Sequence, residues 1–263
     1  MLLAPLSVAT PAVADTVTSD NWSGYAVHGA AQTFRQVGAS WREPAASCTA
    51  GTDTYSSFWV GIGGYRASSD GLEQVGSEVD CAADGGVVLS AWYELVPAPA
   101  RTIRMTIAPG DLLSASVSIA GRAVTMTITD ESRHEGFAKT IVDRTLDLTS
   151  AEWIAEAPSD CTAANVCHTL PLADFGSVRF TRARAVTTAG RVESIGDLRR
   201  RTTRIEMKNA ASGRVVSDVG LVTATPSALT DGGHAFRIAV SGAPSPSGPS
   251  SGGSAPGPLQ VLP

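Results

Sequence analysis

Histidine is scarce in this sequence, and its four copies, His28, His134, His168 and His234, are scattered: no two stand at metal-ligand spacing and no HExxH occurs. That scatter disfavours a zinc centre and a Ser-His-Asp triad. Phosphate-cradling glycine loops are missing too, because the glycines of VGIGGY at 60–65 follow a strand-like run with no helix after them. Nucleotide cofactors therefore have no support, and the expectation is an enzyme or binding module with no cofactor and no metal. No apolar run approaches the about 18 residues a bilayer crossing needs, so no membrane anchor is expected. Charged residues make up 17% of the chain and the net charge is −5, a balance that argues against nucleic acid as the main partner. Arg182, Arg184, Arg191, Arg199, Arg200, Arg201, Arg204 and Lys208 make the later part locally basic, which reads as a solvated face.

Cysteine is also sparse, but Cys48, Cys81, Cys161 and Cys167 form an even set, which in an exported protein is usually disulfide-bonded. Pairing 48 with 81 and 161 with 167 is the expectation, although sequence alone does not choose among the possible connectivities. Export itself is suggested by residues 1–14, an apolar run ending in Ala12-Val13-Ala14, the small-x-small pattern of a signal peptidase site without a basic start. The mature protein would then begin at Asp15 and be secreted, as a monomer. From Ala243 the chain becomes PSPSGPSSGGSAPGP, with nothing apolar to bury, so 243–263 reads as a flexible tail. The formal GxSxG at 248–252 lies in that tract and lacks the strand-turn-helix the motif requires.

Between these ends, 15–242 has ample apolar material for a core, since 43% of the chain is hydrophobic. The dominant signal is alternation, with helical periodicity scarce. WSGYAV (22–27), SSFWVGI (56–62), LEQVGSEVDC (72–81), VVLSAWYELV (87–96), LLSASVSI (112–119), AVTMTITD (123–130), AEWIAEA (151–157) and SVRFTRARAV (177–186) are strand-like, with turns such as Pro109-Gly110-Asp111 and Ala120-Gly121-Arg122 between runs. TIRMTI (102–107) reads the same way, a short helix fits near 193–199, and 53–57 and 160–175 read as irregular. Many short strands rich in Thr, Val and Ser describe a single all-β domain, a sandwich or barrel. Alternation groups Glu152, Ile154 and Glu156 on one face of their strand, Trp92 with Glu94 on a second and Gln74 with Gly76 and Glu78 on a third, a plausible polar, aromatic-lined groove.

DNWSGYAV (20–27), FWVGIGGY (58–65), LEQVGSEVDC (72–81), AWYELVP (91–97), PGD (109–111) and SAEWIAEAP (150–158) resemble, in order, the motifs of the glutamic peptidases, or eqolisins, in their bacterial form. The resemblance implies a two-sheet antiparallel β-sandwich of the concanavalin A-like lectin type, with a Gln/Glu dyad on its concave face and protein or peptide substrates. Motif for motif it puts the catalytic glutamine on Gln74, the catalytic glutamate on Glu156, and groove-lining positions on Trp22, Trp59 and Glu94. One position departs: Gly63 stands where the family usually has an aspartate.

The implied chemistry stands on its own terms. A carboxylate can take a proton from water and return it to the leaving amine, while an amide positions that water and donates to the oxyanion. Because glutamine does not titrate, such a dyad can work in acid, where a histidine base would be protonated. Two other functions fit the same residues: a glycoside hydrolase using Glu94 and Glu156 as paired carboxylates, and a binding module that keeps the groove without turnover.

Overall fold

A computed structural model describes residues 15–29, 33–69, 71–143, 145–161, 167–198, 201–210 and 221–242. The expected leader at 1–14 and tail at 243–263 lie outside them. The early strands are β1 (Asp15–Ser19), β2 (Trp22–His28), β3 (Phe34–Arg42), β4 (Ser57–Gly63), β5 (Leu72–Cys81), β6 (Val87–Leu95) and β7 (Arg101–Ile103). Then come β8 (Leu112–Ala120), β9 (Ala123–Asp130), β10 (Glu135–Val142), β11 (Ser150–Glu156), β12 (Ser159–Cys161) and β13 (Cys167–Thr169). The last are β14 (Ser177–Thr187), β15 (Val192–Ser194), β16 (Thr202–Ala210), β17 (Leu221–Pro226) and β18 (Phe236–Ser241), with one 3-10 turn at Asp231–Gly233.

Antiparallel pairing runs in the order β10-β9-β8-β3-β14-β18-β17-β16-β2-β11-β4-β5-β6-β7, and one strand folds this ribbon into two sheets. The first part of β14 pairs with β18, while Arg184–Thr187 pair with β3 after a register shift at Thr181/Arg184. Arg182, inside that bulge, takes a left-handed φ of 53°. Bulges of this kind let a strand turn a corner from one sheet to the next. The guanidinium of Arg182 is thereby aimed across the outer face at Glu131, which accepts two of its N–H bonds at 3.0 and 3.2 Å.

Burial explains why the sheets pack. On β9, Val124, Met126 and Ile128 are buried while Thr125, Thr127 and Thr129 are partly exposed, the pattern of a sheet with one wet face. Their inward partners across the sandwich include Val75, Val79, Phe58, Val60 and Trp153, all in one apolar cluster. By contrast, every residue of β4 and β11 is buried, so both faces are covered at the middle of the sheet built from β2, β11, β4, β5 and β6. Its second face carries a separate cluster of Trp22, Ala26, Trp59, Leu72, Trp92, Val96, Ala100, Ile154 and Ile205.

Disulfides join Cys48 to Cys81 and Cys161 to Cys167, the first tying the β3–β4 connection to the end of β5 and the second closing the β12–β13 hairpin. Three local expectations change. TIRMTI is a strand only over Arg101–Ile103. The stretch near 193–199 is not a helix: Val192–Ser194 pairs with β14 and a turn follows. The 160–175 stretch holds the β12–β13 hairpin. Three of the late basic residues form ion pairs in place, Arg182 with Glu131, Arg191 with Glu193 and Arg204 with Glu206.

Candidate active site

Strand register decides which polar side chains meet on the second face. Ala26, Glu152, Gly61, Gln74 and Glu94 form one row across β2, β11, β4, β5 and β6. The next row on that face is Gly24, Ile154, Trp59, Gly76 and Trp92, and the one after is Trp22, Glu156, Ser57, Glu78 and Ser90. Neighbouring strands lie about 4.8 Å apart and same-face residues about 6.8 Å apart along a strand. Gln74 and Glu152 are therefore about 9.6 Å apart at their backbones with only a glycine between them, whereas Glu156 is displaced by two further rows.

The glycines in these rows are sterically required. A Cβ on Gly61 would lie 2.9 Å from Cζ3 of Trp59 and 3.0 Å from Cδ1 of Leu72, so the indole leans over Gly61 while Gln74 and Glu152 flank it. A Cβ on Gly76 would come within 2.7 Å of the Trp59 Cβ. The indole is fixed at its other end by its N–H, which donates to Oε2 of Glu156 at 2.7 Å, and it packs edge-on against Trp22 with ring centres 5.0 Å apart. Asn21 donates to the other oxygen of Glu156 at 3.1 Å.

Of the residues expected at the site, Trp22, Trp59, Gln74, Glu94 and Glu156 all reach this face, but in two hydrogen-bonded groups. Gln74 donates from Nε2 to Oε2 of Glu94 at 2.8 Å, and its Oε1 has no partner. Glu156 belongs with Trp59 and Asn21 instead. Glu152, which sequence placed on the correct face without assigning it a role, stands in the Gln74 row, and neither of its oxygens has a hydrogen-bond partner. Gln74, Glu152 and Glu156 are each 0% exposed and Glu94 is 1% exposed, so these four side chains are covered by their neighbours. Burial pushes the Glu152 carboxyl well above the ordinary range; the Ser150 hydroxyl acts against the shift, and the charges of Asp147 and Glu73 add to it. Burial also raises Glu156, with the Trp59 and Asn21 donors acting against it and the Glu94 charge acting with it.

Gly63 has a φ of 88°, and a Cβ there would lie 2.6 Å from the Gly71 carbonyl oxygen and 2.7 Å from that of Asp147. The position has no room for a side chain because the segment entering β11 occupies it.

Residues 20–230 match the Peptidase A4 family. The chain is a member of that family. Among solved structures it is similar to scytalido-glutamic peptidase bound to a transition state analog inhibitor, at 23% identity and a TM-score of 0.66 over 84% of this chain and 98% of that one. SCP-B, a member of the Eqolisin family in complex with the tripeptide Ala-Ile-His, covers the same shares at 23% identity and a TM-score of 0.63. Aspergilloglutamic peptidase from Aspergillus niger matches at 25% identity and a TM-score of 0.53, over 71% of this chain and 98% of that one. Among curated protein sequences none matches the chain. The protein is thus a glutamic-type peptidase, a hydrolase, and the glycosidase and binding-module readings fall away. Sequence placed Glu152 on this face without a role, and the structure sets it in the Gln74 row. The signal for it was Gly61, a small residue in line with both acid and amide, but that line exists only once β11, β4 and β5 are paired.

Proposed function

We propose that this peptidase is a secreted endopeptidase that works in acid solution, with Glu152 as proton carrier and Gln74 as its amide partner. The observation that carries the reading is the Glu152–Gly61–Gln74–Glu94 row. Glu94 holds one Nε2 hydrogen of Gln74, which leaves the second hydrogen and the unpartnered Oε1 for reacting groups. Because burial raises the Glu152 carboxyl, only a fraction of it is ionised in acid, and that fraction takes a proton from a water molecule as the water attacks the peptide carbonyl carbon. Gln74 stabilises the resulting oxyanion, and Glu152 then delivers the proton to the leaving nitrogen as the C–N bond breaks. Glu156 is engaged in fixing Trp59, which argues against it as the proton carrier that the motif comparison suggested.

Acid action is supported by the fold's other carboxyls. Burial raises Glu43 to about 8, Glu73 to about 9 and Asp80 to about 8, so the native state holds these groups neutral most readily at low pH. Secretion is supported by the two disulfides and the small-x-small pattern ending at Ala14. The deciding experiment measures kcat/KM on an unfolded protein substrate in acid for Glu152→Gln, Glu156→Gln and Gln74→Ala. Losses of about a hundredfold or more are expected for the first and third. A Glu152→Gln protein with parental activity, beside an inactive Glu156→Gln protein, would return the role to Glu156.

A further inference from the structure

Two loops meet one row along the sheet from Glu152: Gly63, which packs against Asp147, is two residues from the Gly61 that stands opposite Glu152. Gly63 and Gly71 meet residues 145–147 so closely that a Cβ on Gly63 would press on Asp147, and one on Gly71 would run into the Thr145 carbonyl. Asp147 is thereby fixed in place, and its carboxylate is held from both sides. Oδ2 accepts the Ser69 hydroxyl at 2.6 Å, while Oδ1 accepts the Thr149 N–H at 2.9 Å and the Thr149 hydroxyl at 2.7 Å. A cavity of about 340 Å³ lined by Arg66, Ser68, Thr145 and Leu146 lies against it. Although burial acts upwards on the Asp147 carboxyl, the Ser69 and Thr149 hydrogen bonds and the Arg66 charge hold it below its ordinary value.

The contrast with its neighbours is sharp. Glu152 and Glu73 are far less well held: burial raises both carboxyls, the Ser150 hydroxyl acts against the rise at Glu152, and the Asp147 charge opposes ionisation of both. The other groups around Glu152 do not provide a competing fixed charge. Gln74 on β5 and Ser150 on its own strand are neutral. Glu73 on β5 acts in the same sense as Asp147, while Asp143 acts on Glu73. Glu94 on β6 takes the Gln74 amide and acts on Glu156. His28 on β2 stacks on Tyr65 and responds to Arg66 and Asp15.

We propose that Asp147 is a positioning residue of the peptidase, a clamped anion whose fixed negative charge opposes loss of the proton from Glu152. This rests on Glu152 being the proton carrier. Removing the charge lets Glu152 ionise at lower pH, so the acid limb of the kcat/KM profile should move down. In Asp147→Asn the expected shift is about half to one pH unit, equivalent to about three- to tenfold higher kcat/KM at a pH on that limb. Asp147→Glu, which keeps the charge, should restore the parental limb. Ser69→Ala, which removes one donor from Asp147, should move it less and in the same direction; it carries the test if Asp147→Asn does not fold. A loss of activity that is uniform across pH, with the limb unmoved in both Asp147→Asn and Ser69→Ala, overturns the inference. If Glu152→Gln keeps parental activity, the reading of the dyad fails first and this one with it.

Discussion

Glu43 gives the sharpest quantitative prediction. It follows β3, is 2% exposed between the sheets, and its Oε2 accepts both the Ser77 hydroxyl at 2.5 Å and the Trp41 indole N–H at 3.3 Å. Oε1 has no partner. Burial raises the carboxyl from 4.5 to about 8, with the Ser77 and Trp41 donors opposing the shift. A group raised on folding contributes stability that is fully present below the unfolded value and is lost as pH rises through the folded one. Across the window from 4.5 to about 8 the native state keeps a proton that the unfolded chain has released, so stability falls by about 1.4 kcal/mol per pH unit. Over the whole window that is about 5 kcal/mol, a large share of a typical domain's stability. Glu43→Gln keeps the shape and removes the titration. Urea unfolding followed by tryptophan fluorescence should give similar stabilities for parent and variant near pH 4. Near pH 8 the variant should be the more stable by about 4 to 5 kcal/mol. Parallel stability curves for the two proteins would refute the argument that this buried carboxyl is neutral in the native state.

Other perturbations have clear directions. Trp59→Phe removes the donor to buried Glu156 and should cost about 1 to 3 kcal/mol in unfolding free energy as well as activity, measurable by denaturation and by kcat/KM. Gly63→Asp should destabilise strongly, because a φ of 88° costs a non-glycine residue about 1 to 3 kcal/mol before the clash with the Gly71 and Asp147 carbonyls is counted; a drop in the thermal midpoint reads this out. Replacing Cys48 and Cys81 by serine opens a loop of 33 residues and should lower stability by about 3.5 to 4 kcal/mol on the chain-entropy estimate, seen as a lower urea midpoint.

Much of the fold was visible in sequence because a strand's two faces alternate. The Val-Thr-Met-Thr-Ile run of β9 announces one dry and one wet face, and the structure shows both. Some short or exposed strands escaped notice. Asp15–Ser19 is mostly exposed and becomes a strand only by lying parallel to β16, nearly two hundred residues away. Leu221–Pro226 finds its place between β16 and β18. The site divides in the same way. That Gln74, Glu94, Glu152 and Glu156 are polar residues of one face follows from period-two counting. Which acid faces the amide depends on how β11, β4 and β5 are registered, and a motif comparison cannot supply that. Asp147 was invisible for a related reason: it lies in a loop that packs against Gly63, one row from Glu152, only once β4 and β11 are paired.

The central claim is that Gln74 and Glu152 act as one catalytic unit. A double-mutant cycle in kcat/KM tests it, combining Gln74→Ala with Glu152→Gln and, for comparison, with Glu156→Gln. Groups that act as a unit are strongly non-additive, so the Gln74/Glu152 double variant should be about as impaired as the worse single variant. Losses that multiply for Gln74 with Glu152, but not for Gln74 with Glu156, would contradict the account.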